Sequence, residues 1–423
     1  MNEIIIIITI GILIFTINEV IIRNKILKAN KNFQWMIVGK DERPNFSKNG
    51  LEKFFQHGYD SELGWIRKPE TEHEEMGKNG KTMWHIDKNG ARNNPILGYK
   101  EGEISCYGDS FTFARQVNDN ETWSYFLSEL AKTNIQNFGV GNYGIDQSLL
   151  RLKREFKKYP SNIVILGVVP DTISRILSVW KHYYEYGNTF GFKPRFKIID
   201  GKLTLIKNFI DSKEKFVNYK KFLKEIQNND FFYKEKFLKE IIRFPYSISI
   251  LKNLSRNIRI LQKLNKIEKD QSRGKIVAQN FEAMKIIMAR NLEWRIKLFK
   301  DENASKLLKG IVQEYANFSQ KENFKAVFVF LPQKDDIIFI KNNHNFYNEF
   351  VEEIRKIKHL VVLDITSKIL KEEKLEELFS EKTEYGGHYS KYGNKIIAKM
   401  IYDEMRTKMD HNTNELYKTD KND

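Results

Sequence analysis

A chain of 423 residues with a single cysteine, Cys106, has no internal disulfide framework, so burial must hold its fold together. Its 41% hydrophobic content suits a packed core, and its length allows one large domain or two ordinary ones. The formal net charge is +16, yet no nucleic-acid motif accompanies it, and no nucleic-acid partner is expected.

The amino-terminal run EIIIIITIGILIFTINEVII, residues 3–22, is apolar over the roughly 20 residues that a bilayer core requires. It has neither a preceding basic cluster nor a small-residue cleavage site, so residues 1–24 are expected to form a single-pass membrane anchor rather than a cleaved signal peptide. Arg23, Lys25, Lys28 and Lys31 follow at once, and such charges favour the cytoplasmic side. Residues 25–102 are expected to hold a juxtamembrane segment and a preamble of short strands, with Asn89-Gly90 as a tight turn.

From residue 103 short apolar runs alternate with segments of helical period. The runs are ISCY (104–107), NIQNFGV (134–140), NIVILGVV (162–169), AVFVFL (326–331) and LVVLDI (360–365). This pattern predicts βαβ units and a five-stranded parallel sheet of the doubly wound, flavodoxin-like kind, with ligands at the carboxyl ends of the strands. Cys106 sits inside the first run and reads as a small buried hydrophobe.

The third and fourth runs are too far apart for one crossover helix. The core is therefore expected in two parts, 103–175 and 301–408, around a mainly helical insertion at 176–300. Residues 201–300 hold 24 Lys or Arg against 10 Asp or Glu. Solvated amphipathic helices account for that excess, and a patch for anionic lipid or acidic glycan is the alternative. Residues 409–423 read as a polar, disordered tail.

YGDSFTFA places Ser110 on a turn directly after the first strand. A serine hydroxyl needs a base to take its proton. Among eight histidines, His388 lies in a Gly-rich loop, GGHYSKYGN, after the fifth strand, where it can reach over Ser110; a surface-loop histidine is the plain alternative. The histidines are scattered, with no His-Glu-x-x-His and no paired Cys-x-x-Cys, so neither metal nor other cofactor is expected.

In order, YGDSFTFA, NFGVGNYGIDQSLLRLKRE, VILGVVPDTISR and GGHYSKYGN resemble the four sequence blocks of the SGNH, or GDSL-type, hydrolases. The stretch 59–92 resembles the preamble of membrane-anchored members from bacterial surface-polysaccharide gene clusters. The resemblance implies the SGNH three-layer α/β sandwich and a Ser-His acyl-enzyme mechanism, with Ser110 as nucleophile within Gly-Asp109-Ser110 and His388 as base. It also implies a backbone oxyanion donor at Ser110 and a second at Asn142, unless the flanking Gly141 shifts the register.

Three positions depart from the family pattern. Asn142 replaces a glycine, and it is otherwise a plain turn residue. The third block offers Val169, Pro170 and Asp171 where an asparagine side chain is usual, so the Asn142 amide is expected to fill the gap and Asp171 to lie at the rim. Tyr385 stands where the triad acid is usual, leaving Glu384 as candidate orienter and Asp364 in reserve. The resemblance thus implies an esterase or acyltransferase in the bacterial envelope, acting on an acylated glycan or lipid-linked glycan. It pulls against the basic cluster at 23–31 on the side of the main domain. The alternative is a catalytically weak binding or assembly component of a polysaccharide system, which the absent asparagine favours.

Overall fold

The structure, a computed structural model, describes residues 2–33, 35–96, 98–275, 279–383, 385 and 387–419. The chain forms two compact units: Met1–Leu51, Ser178–Phe192 and Glu214–Glu293 make one, and Glu52–Leu177, Lys193–Lys213 and Trp294–Asp423 make the other. The amino-terminal stretch and most of residues 176–300 thus belong to the first unit.

The first unit begins with helix α1, Asn2–Asn32. Its apolar first half, including Ile4, Ile8, Ile12 and Phe15, is exposed, whereas Ile26, Ala29 and Phe33 are buried. This single long apolar helix fits a single-pass anchor or a signal sequence. Glu19 marks the change of surroundings: its carboxylate takes the N–H groups of Tyr246, at 2.5 Å, and Ser247, at 2.9 Å. Elsewhere in this unit Trp180 stacks on Phe192 with ring centroids 4.8 Å apart. The buried Asp230 carboxylate receives the backbone N–H of Val179 (2.7 Å) and Trp180 (2.9 Å) and the Ser178 hydroxyl (3.0 Å). A buried carboxylate needs such donors, because leaving it unpaired costs several kcal/mol.

The second unit is built on five parallel strands: β1 Glu101–Gly108, β2 Asn134–Asn137, β3 Ile163–Val168, β4 Lys325–Phe330 and β5 Leu360–Leu363. Their order across the sheet is β5-β4-β3-β1-β2. This is the 2-1-3-4-5 order of the flavodoxin-like doubly wound fold, as the alternating pattern predicted. The strands are near-continuous apolar runs because both faces are covered. On one face Ile104, Cys106, Val327 and Val329 join a core with Trp123 and Leu127 of α3 (Trp123–Ala131), completed by Ile397 and Ile401 of the last helix. On the other face α4 (Ile145–Glu155) and α5 (Glu302–Glu322) pack, and the Tyr315 hydroxyl donates to Val164 O at 2.7 Å. The last helix, α6, spans Lys391–Thr419 and so runs through residues expected to be disordered.

The preamble forms antiparallel pairs as expected, Tyr59–Asp60 with Gly64–Trp65 and Glu72–Gly77 with Gly80–His85. A third pair, Arg195–Ile199 with Lys202–Ile206, lies in the stretch expected to be mainly helical. At Asn89-Gly90 the Asp87 carboxylate takes the N–H of Asn89 and of Ala91.

The end of β1 is tightly specified. A Cβ on Gly108 would lie 1.9 Å from Gly167 O and 2.7 Å from Thr112 Cβ. The close approach lets the Thr112 hydroxyl donate to Gly167 O at 2.6 Å, which ties the turn after β1 to β3. Gly108→Ala is therefore expected to cost about 3 kcal/mol or more, since the clash is with backbone that cannot move aside. Urea unfolding of the two chains measures this, and an unchanged midpoint would refute the packing argument.

Candidate active site

Ser110 opens a single helical turn, α2 (Ser110–Phe113), at the carboxyl end of β1. Asp109 caps that turn with its carboxylate on Phe111 N–H at 2.8 Å. The same carboxylate takes Val169 N–H from the end of β3 at 2.8 Å and Nη1 of Arg175 at 3.2 Å. Asp109 is fully buried, and burial raises its pKa despite the arginine and the N–H donors. It thus shapes the serine turn and has no surface toward a substrate.

After α2 the chain reverses through two left-handed residues, Ala114 (φ 59°) and Gln116 (φ 65°). Such a φ is uncommon outside glycine and is held here by specific contacts. The Glu75 carboxylate, from the preamble hairpin, takes Gln116 N–H at 2.7 Å and pairs with Arg115 at 2.9 and 2.5 Å.

Gln116 is aimed at His388. Its side-chain oxygen accepts the backbone N–H of His388 (2.8 Å) and the Ser380 hydroxyl (2.7 Å), and faces His388 Nδ1 at 3.1 Å. A backbone N–H can only donate, so the atom facing it must be the amide oxygen. That oxygen can only accept, so Nδ1 carries the ring proton and Nε2 keeps a lone pair. The imidazole lies against Phe111, the residue after Ser110, with ring centroids 4.7 Å apart. Gly387 permits the arrangement: its φ is +66°, and a Cβ there would meet Ser380 Oγ at 2.4 Å and Gln116 Oε1 at 2.7 Å.

The structure therefore brings His388 against the serine turn, and among the described residues the group facing its Nδ1 is the neutral amide of Gln116. Glu384, the expected orienter, lies outside the described residues. Asp364 accepts Thr366 N–H at 3.0 Å and makes no bond to His388 among the described residues. Tyr385 lies in the loop before the histidine, where its carbonyl accepts Gly387 N–H. Among the described residues no hydrogen bond joins Ser110 Oγ to His388 Nε2.

The second block also lies at the serine. A Cβ on Gly141 would be 4.0 Å from Ser110 Cβ, and Trp65 Nε1 fixes the loop by donating to Gly141 O at 2.9 Å. Asn142 follows with φ 67°, a left-handed conformation that asparagine tolerates. Asp171 is not at a rim. It is buried, pairing with Arg175 at 3.2 Å and lying 3.9 Å from Arg295, which in turn pairs with Asp335 and Asp336. An aspartate with such partners is drawn into the protein rather than left at its edge. Among the described residues no cluster of His, Cys, Asp or Glu is placed to hold a metal ion.

Sequence reasoning missed Gln116, Glu75 and Arg175. Only Arg175 carried a signal, since Asp171 and Arg175 have the i, i+4 spacing of a helical ion pair.

Burial pushes the His388 pKa well below 6.5, and the charges of Arg115, Arg175 and Arg67 push it the same way. The ring is therefore neutral and able to accept a proton at pH 7.

The chain is similar to solved structures of lipolytic enzymes. One is a candidate lipolytic protein of the G-D-S-L family from Desulfitobacterium hafniense DCB-2, at 12% identity, covering 72% of this chain and 99% of that one, with a TM-score of 0.30. Another is the psychrotrophic esterase EstA from Pseudoalteromonas sp., inhibited by monoethylphosphonate, at 10% identity over 73% and 100% of the two chains, TM-score 0.32. A third is a lipase/acylhydrolase from Enterococcus faecalis, at 11% identity over 72% and 96%, TM-score 0.30. No family model and no curated protein matches the sequence. The fold assignment rests on the strand order itself.

The acid limb of a Ser110 reaction reports protonation of His388, so it should fall well below pH 6.5. Gln116→Glu places an anion on Nδ1–H, favours the imidazolium and should move that limb upward by about 1–3 pH units. The rate of phosphonylation against pH for the two chains measures the shift. A limb that stays put would show that Gln116 does not face the working ring.

Proposed function

We propose that this protein is an SGNH-type serine hydrolase of carboxylic esters. The observation that carries the reading is the placement of His388 against the turn opened by the strand-end Ser110, with its Nε2 left as the proton acceptor by the Gln116 contact. Ser110 Oγ attacks the ester carbonyl carbon while its proton passes to His388 Nε2. The tetrahedral intermediate collapses to an acyl-enzyme, and the leaving alcohol takes the proton from His388. Water, or a hydroxyl of a second substrate, then resolves the acyl-enzyme by the reverse sequence. The Ser110 backbone N–H and a backbone N–H of the 141–142 turn are the main-chain oxyanion donors.

The finer proposal is that the acyl group is carried by a glycan or lipid-linked glycan, and that α1 holds the protein at a bacterial membrane. The family resemblance of the four blocks and the exposed apolar half of α1 support it. A second reading, a weakly catalytic binding component, is favoured by the absent third-block asparagine and the unmade Ser110–His388 bond.

A serine-directed fluorophosphonate distinguishes the two. Labelling is expected at Ser110, abolished by Ser110→Ala with the melting temperature within about 2 °C, and slowed about 10²–10⁴-fold by His388→Ala. An unlabelled wild-type chain would favour the binding reading. For the anchor, full-length protein is expected to stay with membranes through carbonate extraction, and soluble full-length protein would count against it.

A further inference from the structure

Arg67, on the segment between the two preamble hairpins, differs from the other arginines around the site. Arg115 is paired with Glu75, and Arg175 with Asp109 and Asp171. Arg92 pairs with Asp119 and donates to the carbonyls of Phe113, Ala114 and Val117. Among the described residues Arg67 has neither an ion pair nor a hydrogen bond, and its Nε is buried without a partner. Its guanidinium is held by aromatic faces, 4.0 Å from the centroid of Trp84 and 4.1 Å from that of Phe113. Burial and the charges of Arg115 and Arg92 lower its pKa to about 9, against the opposing effect of Glu75. It is a fixed cation without its own counterion.

Its position places it beside the turn that Ser110 opens. Its Nη2 lies 3.8 Å from the point where a Cβ on Gly141 would sit, and that point is 4.0 Å from Ser110 Cβ. Its charge also reaches His388, where it helps to lower the ring's pKa. Arg67 therefore stands against the second-block turn on the side that faces Ser110.

We propose that Arg67 is a catalytic residue, the side-chain donor to the oxyanion of the tetrahedral intermediate, in place of the absent third-block asparagine. The role rests on Ser110 acting as nucleophile. When Ser110 Oγ bonds to the carbonyl carbon, the carbonyl π pair moves onto oxygen and the serine proton moves to His388. Net charge is unchanged, but a positive charge now sits on a ring already surrounded by arginines, with an amide rather than a carboxylate behind it. The compensating negative charge forms beside Arg67, which among the described residues has no ion pair and no hydrogen bond. Collapse returns the pair to the carbonyl, breaks the bond to the leaving oxygen and sends the proton to that oxygen. Arg67 gains its partner only in the intermediate, which is the condition for lowering a barrier rather than tightening substrate binding.

The test uses the full-length chain with p-nitrophenyl acetate, a neutral ester, and with a fluorophosphonate. Arg67→Gln is expected to lower kcat and the phosphonylation rate by about 10²–10³-fold, with KM within about threefold. Arg67→Ala should recover part of its rate when guanidinium is added at millimolar concentration, a rescue that a merely structural role would not give. If these variants fail to fold, Arg67→Lys, which keeps the charge but loses the planar fork, should lower kcat at least tenfold. A reacting wild type with an equally fast Arg67→Gln overturns the role of Arg67 alone. So does a loss confined to KM for an ester bearing a carboxylate, which would make Arg67 a site for a substrate anion. A wild type that neither cleaves the ester nor is labelled overturns the nucleophile reading, and this role with it.

Discussion

The carboxylate of Asp109 is the contact through which the rest of the site is aligned. It has no exposure, yet it joins the serine turn to the end of β3 and to Arg175. Arg175 then reaches Asp171 and the carbonyl of Tyr143, which belongs to the second-block loop. One buried anion thus sets the relative positions of three of the four blocks. Removing one partner of such a buried pair typically costs 3–5 kcal/mol, because the other charge is left unsatisfied. The acid of Gly-Asp-Ser is accordingly a structural element.

The fourth block is attached by a different chemistry. His388 hangs on the amide of Gln116, and Gln116 is held by Glu75 from the preamble hairpin. The hairpin is therefore a working part of the site. A carboxylate behind the imidazole would raise its pKa and stabilise the imidazolium; an amide fixes the tautomer without adding charge. With three arginines nearby and no anion on the ring among the described residues, the surroundings disfavour a resting imidazolium.

Much of the fold was legible because strands buried on both faces cannot avoid being apolar runs, and the five runs became the five strands. Ser110 and His388 were legible as parts of blocks with local glycine and turn chemistry. Asn142 could be read as tolerant of a left-handed backbone, which it adopts. Gln116 could not be found in this way. It is an unremarkable glutamine in sequence, and its role exists only once the chain folds back across the 272 positions that separate it from His388. Arg67 reads as one more charge in a polar loop until Trp84 and Phe113 close on it. The burial of Asp171 was likewise hidden, since Arg295 comes from the far end of the insertion. Linear boundaries likewise do not show that residues 1–51 and 214–293 belong to one unit.

Neither unit is continuous in the chain, and this shapes the timing of folding. β3 pairs with β4 in register, yet about 155 residues lie between them. Closing such a loop costs only about 1.5 kcal/mol more than closing a crossover of about 30 residues. The thermodynamic burden is slight, but the kinetic one is not. Glu19 must wait for Tyr246 and Ser247, the first of them 227 positions later. At elongation rates of about 5–20 residues per second, that is roughly 10–45 s in which Ile26, Ala29 and Phe33 have no partner from the later segments. The nascent chain must carry the apolar underside of its first helix uncovered through half of its own synthesis, an interval in which a chaperone or a neighbouring nascent chain competes with the native partner for the same surface.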